Sequence, residues 1–288
     1  MEKLKEFTIE HRDVPANPPL EFAKKMVEKA RGAEKVVSIG GGSTIDVGKY
    51  VSYKLNIPHK AIPTTGGTGS EVTRFAVFID KGKKISLEDD KLIPDEYLLN
   101  PSLLTTLSSS QTACSGLDAL SQAIESYWSP NSTNASRSDS ERAIKCVMSS
   151  LWFSYQYPKS EIFRKKMLEA ANYSGRAINV TKTSICHAIS YPLTIRYGIP
   201  HGVACAITLP FFMRYFEFTM VKAWEVEALL KSLKISIRKD LNLDYIIKEA
   251  LSSERARNVP KKVTAYEIKK SLSPNELRFI SRRTLESN

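Results

Sequence analysis

Residues 35–55 read KVVSIGGGSTIDVGKYVSYKL. Residues 35–39 are short, apolar and rich in β-branched side chains, which predicts a buried strand. Gly40, Gly41, Gly42 and Ser43 follow at once, and from residue 44 to 55 the pattern turns helical. A strand that passes through a glycine turn into a helix is the opening of a βαβ unit.

The flanking segments extend this alternation. Residues 7–9 predict a short strand. Residues 19–30 predict an amphipathic helix with Leu20, Phe22, Ala23, Met26, Val27 and Ala30 apolar, and 61–63 predict the next strand. Alternating elements of this kind predict a parallel sheet with helical crossovers. From about residue 108 the patterns become long and helical, over 109–127, 138–155, 160–183 and 203–222, and strand signals weaken. The chain therefore reads as an α/β nucleotide-binding domain over 1–107 and an all-helical domain over 108–288.

Two loops follow predicted strands. Glycines 40–42 let backbone N–H groups approach a phosphate, and the helix start behind them adds partial positive charge. The stretch is neither a GxGxxG fingerprint nor a Walker loop, since no Gly-Lys-Ser/Thr closes it. The second loop, Thr64-Thr65-Gly66-Gly67-Thr68-Gly69-Ser70-Glu71, is rich in hydroxyls suited to a ribose, a phosphate or a nicotinamide. Two such loops at the ends of successive parallel strands predict a dinucleotide site.

In the helical half, Asp118 and Gln122 stand four apart and share a helix face, with Glu125 as a reserve oxygen donor. His187 and His201, two of the four histidines, fall in one apolar segment, and are expected from a helix and a loop. Asp118, Gln122, His187 and His201 predict a divalent metal site, Fe²⁺ or Zn²⁺, with Gln122 the poorest donor. Such a metal polarises a carbonyl oxygen and favours redox chemistry on an aldehyde or alcohol.

Composition narrows the classes. The chain has 42 Lys and Arg against 31 Asp and Glu, a formal charge of +11. That excess predicts a solvated basic surface or attraction of anionic ligands such as a dinucleotide and a phosphonate. No helix-turn-helix, zinc-finger or RNA-binding signature accompanies it, so nucleic acid is not expected. No apolar run approaches the roughly 18 residues that span a membrane, and the charged N-terminus lacks a signal-peptide core. A cytoplasmic protein without membrane partners is expected. Four cysteines without CxxC spacing read as reduced and mostly buried.

At these residues the chain resembles the iron-containing (group III) alcohol dehydrogenase family, related in fold to dehydroquinate synthase. The resemblance rests on Gly40–Lys49 read as Gly-Gly-Gly-Ser-x-x-Asp-x-x-Lys, on residues 64–71, on Gly-x-Asp-Ala-Leu at 116–120, on His187, on Pro200-His201-Gly202 and on residues 258–264. It implies a Rossmann-like parallel sheet, an all-helical C-terminal domain, a bound NAD(P)H and a metal, and a homodimer as the expected assembly. Gly41, Gly42 and Ser43, with Asp46 in the same motif, match the pyrophosphate loop. Thr64, Thr65 and Thr68 match cofactor-lining positions, and Lys84 falls where the family places a lysine near the nucleotide. Asp118, His187 and His201 match metal ligands. Gln122 stands where the family has a histidine, and Tyr191 stands at another family histidine, as an alternative proton donor.

Within the family, His-Ala-Ile-Ser-Tyr-Pro-Leu-Thr from His187 and the later Tyr-Gly-Ile-Pro-His-Gly most resemble the phosphonoacetaldehyde reductase branch. This implies phosphonate metabolism, with phosphonoacetaldehyde reduced to 2-hydroxyethylphosphonate and Arg74, Lys182 and Arg196 as candidates to pair with the phosphonate. Family members usually begin with a further strand–helix unit before the segment matching Phe7, so the sheet is expected to lack its first unit. Two rival expectations follow: a weakly active or inactive relative that binds only nucleotide, and a metal-dependent lyase or cyclase of the dehydroquinate synthase type. The match of residues 64–71 to the alcohol dehydrogenase loop speaks against the latter.

Overall fold

The computed structural model describes residues 12–237 and 240–282. The strand expected at 7–9 lies outside the described residues. The chain divides into two compact units. One holds residues up to 64 together with 70–98, and the other holds 65–69 with 99 onward. The change of pattern near residue 108 marks the first long helix; the turns over 99–107 group with the helical unit.

In the first unit, α1 (Leu20–Lys29), β1 (Val36–Gly40), α2 (Gly42–Leu55) and β2 (His59–Pro63) alternate, followed by β3 (Phe75–Asp80), β4 (Lys83–Glu88) and β5 (Glu96–Tyr97). Strands β1, β2 and β5 form one parallel sheet in that order, in register Ser38↔Ala61 and Lys60↔Glu96. Helix α2 begins two residues before the predicted start, because Gly41 serves as its N-cap. Gly48 permits its close approach to the sheet: a Cβ there would stand 1.9 Å from Ser38 Oγ and 2.8 Å from His59 Nε2. Val47, Tyr50 and Val51 of α2 then pack with Ala23, Met26, Phe78 and Leu92 in this unit's own core.

The reading of β1 as a buried strand is corrected for one of its faces. Val37 and Ile39 are 52% and 59% exposed, while Ser38 is buried. Side chains alternate along a strand, and among the described residues α2 covers the Ser38 side. The β3–β4 hairpin was also not expected. Its two-residue turn, Lys81-Gly82, has positive φ at both positions, and lysine there is a weak signal for such a turn.

The second unit contains α3 (Ser109–Trp128), α4 (Asn134–Gln156), α5 (Glu161–Thr181), α6 (Ile185–Tyr197), α7 (His201–Ala206), α8 (Leu209–Tyr215), α9 (Ala223–Ser232), α10 (Leu243–Ser252) and α11 (Ala265–Ser271), with the short paired strands β6 (Ser236–Ile237) and β7 (Ser281–Arg282). Helix α3 starts at a capping box between Ser108 and Gln111 and is buried all round over 116–126. Leu117, Leu120 and Ile124 pack there with Ile144 and Leu151 of α4 and with Ile189 and Leu193 of α6. The single helix expected over 203–222 is two helices. Pro210, at the start of α8, cannot donate a backbone hydrogen bond, and Glu217 at φ 57° ends the second piece. Among the described residues no helix is long and apolar enough to cross a membrane.

Candidate metal centre

Asp118 lies in the buried middle of α3. His187 is the third residue of α6, and His201 is the first residue of α7 rather than part of a loop. Cys205 follows His201 by one helical turn and projects from the same face. The four residues offer one donor atom each, all within 4.8 Å of one another. His187 Nε2 lies 3.3 Å and His201 Nε2 3.8 Å from Asp118 Oδ1, and Cys205 Sγ lies 3.9 Å from His201 Nε2.

Gly202 makes this convergence possible. A Cβ on it would stand 1.9 Å from the Cys114 carbonyl oxygen of α3, so any side chain there would push α7 off. With glycine, α7 lies against α3 and carries His201 and Cys205 to Asp118.

Glu125, two turns after Asp118, is not among the converging donors. It is fully buried, and its oxygens accept from the backbone N–H groups of Ser184 (3.0 Å), Cys186 (2.6 Å) and His187 (3.2 Å) and from His187 Nδ1. Ser184 does not cap α6 with its own side chain; the Glu125 carboxylate satisfies those orphan donors and meets the positive end of the helix. By accepting from Nδ1 it holds the ring with Nε2 facing Asp118, the nitrogen that would present its lone pair to a bound metal. That carboxylate–histidine arrangement commonly stands behind a metal ligand.

His187 Nε2 is buried, with Asp118 Oδ1 3.3 Å away but out of good hydrogen-bond geometry. Burial opposes protonation of this imidazole, but Cys205, Glu125 and Asp118 outweigh it and hold the pKa well above the usual value. Burial pushes the Cys205 thiol up, with His187 opposing. Donors at about 2.0–2.3 Å from one ion in a tetrahedron stand about 3.3–3.8 Å apart, close to the separations found here. The residues present therefore fit a divalent metal ion.

The remaining site candidates are placed as follows. Gln122 is buried, and its Oε1 accepts from Ser174 Oγ at 3.1 Å. The Tyr191 ring stacks at 6.1 Å from the His201 ring. Arg196 lies nine residues after His187 on α6, about 13 Å along the axis, and its guanidinium sits 4.5 Å from the Tyr245 ring. Lys182 is exposed at the end of α5. Arg74 pairs with Asp90 at 2.8 Å.

Two residues beside the centre were missed. Cys205 was counted only as a buried thiol, although its spacing of four from His201 on a helix was the available signal. Arg255 was not singled out from the chain's basic excess. Its guanidinium sits 5.1 Å from the Tyr191 ring, and its Nε donates to Thr183 Oγ1 at 2.9 Å. Asn258, just after the 3-10 turn Glu254–Arg257 that carries Arg255, ties that turn down: its amide donates to the Thr181 and Thr183 carbonyls and its oxygen accepts from Ser129. No local periodicity announces such a contact.

In the other unit, Gly41 caps α2, whose first turn holds no acidic residue, so its N-terminal amides keep their partial positive charge. Thr64 N donates to Gly40 O at 2.9 Å and ties the ends of the two strands together. Ser43 Oγ accepts from Asn17 N. Asp46 is bonded within the unit: its oxygens accept from Ser70 Oγ (2.6 Å) and Val77 N (2.9 Å), and fully buried Lys49 lies beside it at 3.8 Å. Lys84 is half-buried on β4 and contributes positive charge near Asp46. Thr65 and Thr68, in the 65–69 stretch that groups with the helical unit, are half-buried.

The sequence profile of the iron-containing alcohol dehydrogenases matches residues 1–101, and that of the Fe-containing alcohol dehydrogenase family's C-terminal part matches 112–272. Among curated proteins, the chain is 33% identical over 235 residues to the phosphonoacetaldehyde reductase of Streptomyces viridochromogenes, covering 72% of this chain and 60% of that one. It is 30% identical over 235 residues to long-chain-alcohol dehydrogenase 1 of Geobacillus thermodenitrificans, covering 74% and 60%. The chain thus spans about 60% of the length of these relatives. Among solved structures, the sulfoacetaldehyde reductase of Bifidobacterium kashiwanohense in complex with NAD⁺ superposes with a TM-score of 0.84 at 29% identity, covering 90% of this chain and 81% of that one. An iron-containing alcohol dehydrogenase of Thermotoga maritima does so with a TM-score of 0.80 at 28% identity, covering 93% and 82%. The two profiles follow each other in order along nearly the whole chain, on the shared fold of a parallel-sheet unit and a helical unit, and the chain belongs to the iron-containing alcohol dehydrogenase family.

Proposed function

We propose that the chain is an NAD(P)H-dependent, metal-assisted reductase of a small aldehyde with an anionic tail, phosphonoacetaldehyde being the first candidate. The observation that carries this reading is the convergence of Asp118, His187 and His201, with His187 held by Glu125, in a chain of this family. When bound, the metal supplies a Lewis acid for a carbonyl oxygen and NAD(P)H supplies the hydride.

The chain's own residues then have separable tasks. Asp118, His187 and His201 hold the metal, with Gln122 one turn from Asp118. Glu125 fixes the His187 tautomer and ring. Tyr191, whose ring stacks on that of His201, is the candidate to give a phenolic proton to the oxygen as the alcohol forms. In the nucleotide unit, Gly41, Gly42 and Ser43 at the start of α2 receive the pyrophosphate; Thr64, Thr65, Thr68 and Lys84 serve the rest of the cofactor, and Asp46 holds Ser70 and β3.

Arg255 is the cation best placed to receive a phosphonate or sulfonate, because it stands against Tyr191 and is fixed by Thr183. Arg196 and Arg74 are engaged with Tyr245 and Asp90 instead. The similarity to a phosphonoacetaldehyde reductase and a sulfoacetaldehyde reductase supports an anionic tail.

The test is NAD(P)H consumption by the metal-loaded chain with phosphonoacetaldehyde, sulfoacetaldehyde and propanal. Faster consumption with the two anionic aldehydes is expected. Nucleotide binding without consumption of any of the three would leave only a nucleotide-binding protein.

A further inference from the structure

We propose that Cys205 is a metal ligand, so that the centre is an Asp–His–His–Cys set rather than an all-nitrogen-and-oxygen one. This rests on the metal reading above and goes beyond it, since neither the resemblance nor the comparisons assign the residue.

Three observations carry the assignment. Cys205 is fully buried on α7, one turn from His201, and its Sγ lies 3.9 Å from both ring nitrogens of that histidine. Its donor atom belongs to the same 4.8 Å group as those of Asp118, His187 and His201. His187 Nε2, from a residue 3% exposed, is also aimed into that point, 3.3 Å from Asp118 Oδ1 and with no contact of good hydrogen-bond geometry. Pairing of His187 with Asp118 accounts for two of these groups, but neither it nor a thiol, a weak hydrogen-bonding group, accounts for a second imidazole and a buried sulfur crowding onto them. A cation accounts for all of them.

Gln122 supplies the complementary half of the argument. It occupies the position where the resemblance implies a histidine ligand, but an amide is a neutral and weak donor. Its oxygen already accepts from Ser174 Oγ. The chain thus lacks one strong donor on α3 and offers another on α7. A thiolate restores the fourth donor and adds negative charge to Asp118. It also softens the set, which moves the preference toward Zn²⁺, a metal commonly bound by sulfur, nitrogen and oxygen together.

The test is X-ray absorption on the full chain loaded with Zn²⁺, joined to the near-ultraviolet spectrum of the Co²⁺-loaded chain. One sulfur scatterer at about 2.3 Å beside lighter donors at about 2.0–2.1 Å, with a thiolate-to-cobalt charge-transfer band, is the expected result. Cys205→Ser loses both signals and weakens Zn²⁺ binding by at least the ten- to hundredfold typical of an outer-shell change. Stoichiometric metal with only nitrogen and oxygen scatterers overturns the assignment and leaves the metal reading standing. No uptake of either metal overturns both. If Cys205→Ser fails to fold, the two spectra of the unaltered chain still decide.

Discussion

Glu125 of α3 binds His187 of α6 twice, through the histidine's backbone N–H and through its ring Nδ1. One buried carboxylate therefore both starts the helix and sets the side chain that the helix presents. The remaining contacts of Glu125, to Ser184 N and Cys186 N, leave no part of it directed at solvent.

Glu125→Gln keeps the volume but loses the charge and brings an NH₂ group toward backbone donors. Metal affinity is expected to fall about 10–100-fold, and unfolding free energy by about 1–3 kcal/mol. Chelator competition and urea unfolding on the same preparation measure the two. An unchanged affinity would remove Glu125 from the account of the metal centre.

Gly202→Val introduces atoms where the Cys114 carbonyl already stands. Helix α7 must move off α3, taking His201 and Cys205 with it. A stability loss of about 1–3 kcal/mol is expected, together with loss of metal uptake. Retention of full metal binding would mean that the approach of α7 to α3 does not assemble the site.

Arg255→Met removes the charge beside Tyr191 and preserves much of the side-chain length. KM for an anionic aldehyde should rise about 10–100-fold, matching the roughly 1.5–3 kcal/mol of a charged hydrogen bond, while kcat/KM for propanal stays near its starting value. An equal effect on both substrates would assign Arg255 a structural task through Thr183.

His59 contributes to the acid-side pH dependence of the first unit. It is buried against Ser38, and burial, with Lys49 nearby, pushes its pKa down to about 4 from 6.5. Between those values the unfolded chain binds a proton that the folded chain does not. The contribution of His59 is therefore intact above pH about 6.5 and declines as the pH falls toward 4, by up to about 3 kcal/mol. His59→Gln should flatten that part of the stability–pH curve; an unchanged slope would assign it to other groups.

Much of this arrangement is legible in the chain before any coordinates. Residues 35–55 announce strand, turn and helix because a local apolar run, three glycines and a 3.6-residue period are adjacent in sequence. Asp118, His187 and His201 stand out because polar side chains are costly in apolar segments and persist there with partners. Glu125 was read as a donor to the metal because its spacing from Asp118 suits the same helix face; its actual partners are 59–62 residues away, and no spacing rule reaches them. Cys205 hid behind the general tendency of cysteine to be buried, and Arg255 behind the chain's overall basic excess. The break at Pro210 was outweighed by the apolar character around it, although the missing N–H was there to be read.

The most direct test of the central claim follows NAD(P)H oxidation with phosphonoacetaldehyde while the chelator-stripped chain is titrated with Zn²⁺ or Fe²⁺. Turnover that is absent in the stripped chain, rises with added metal to one equivalent and disappears in His187→Ala is the predicted result. Turnover that survives chelation unchanged, or none with either metal in a folded chain that binds nucleotide, would contradict the account.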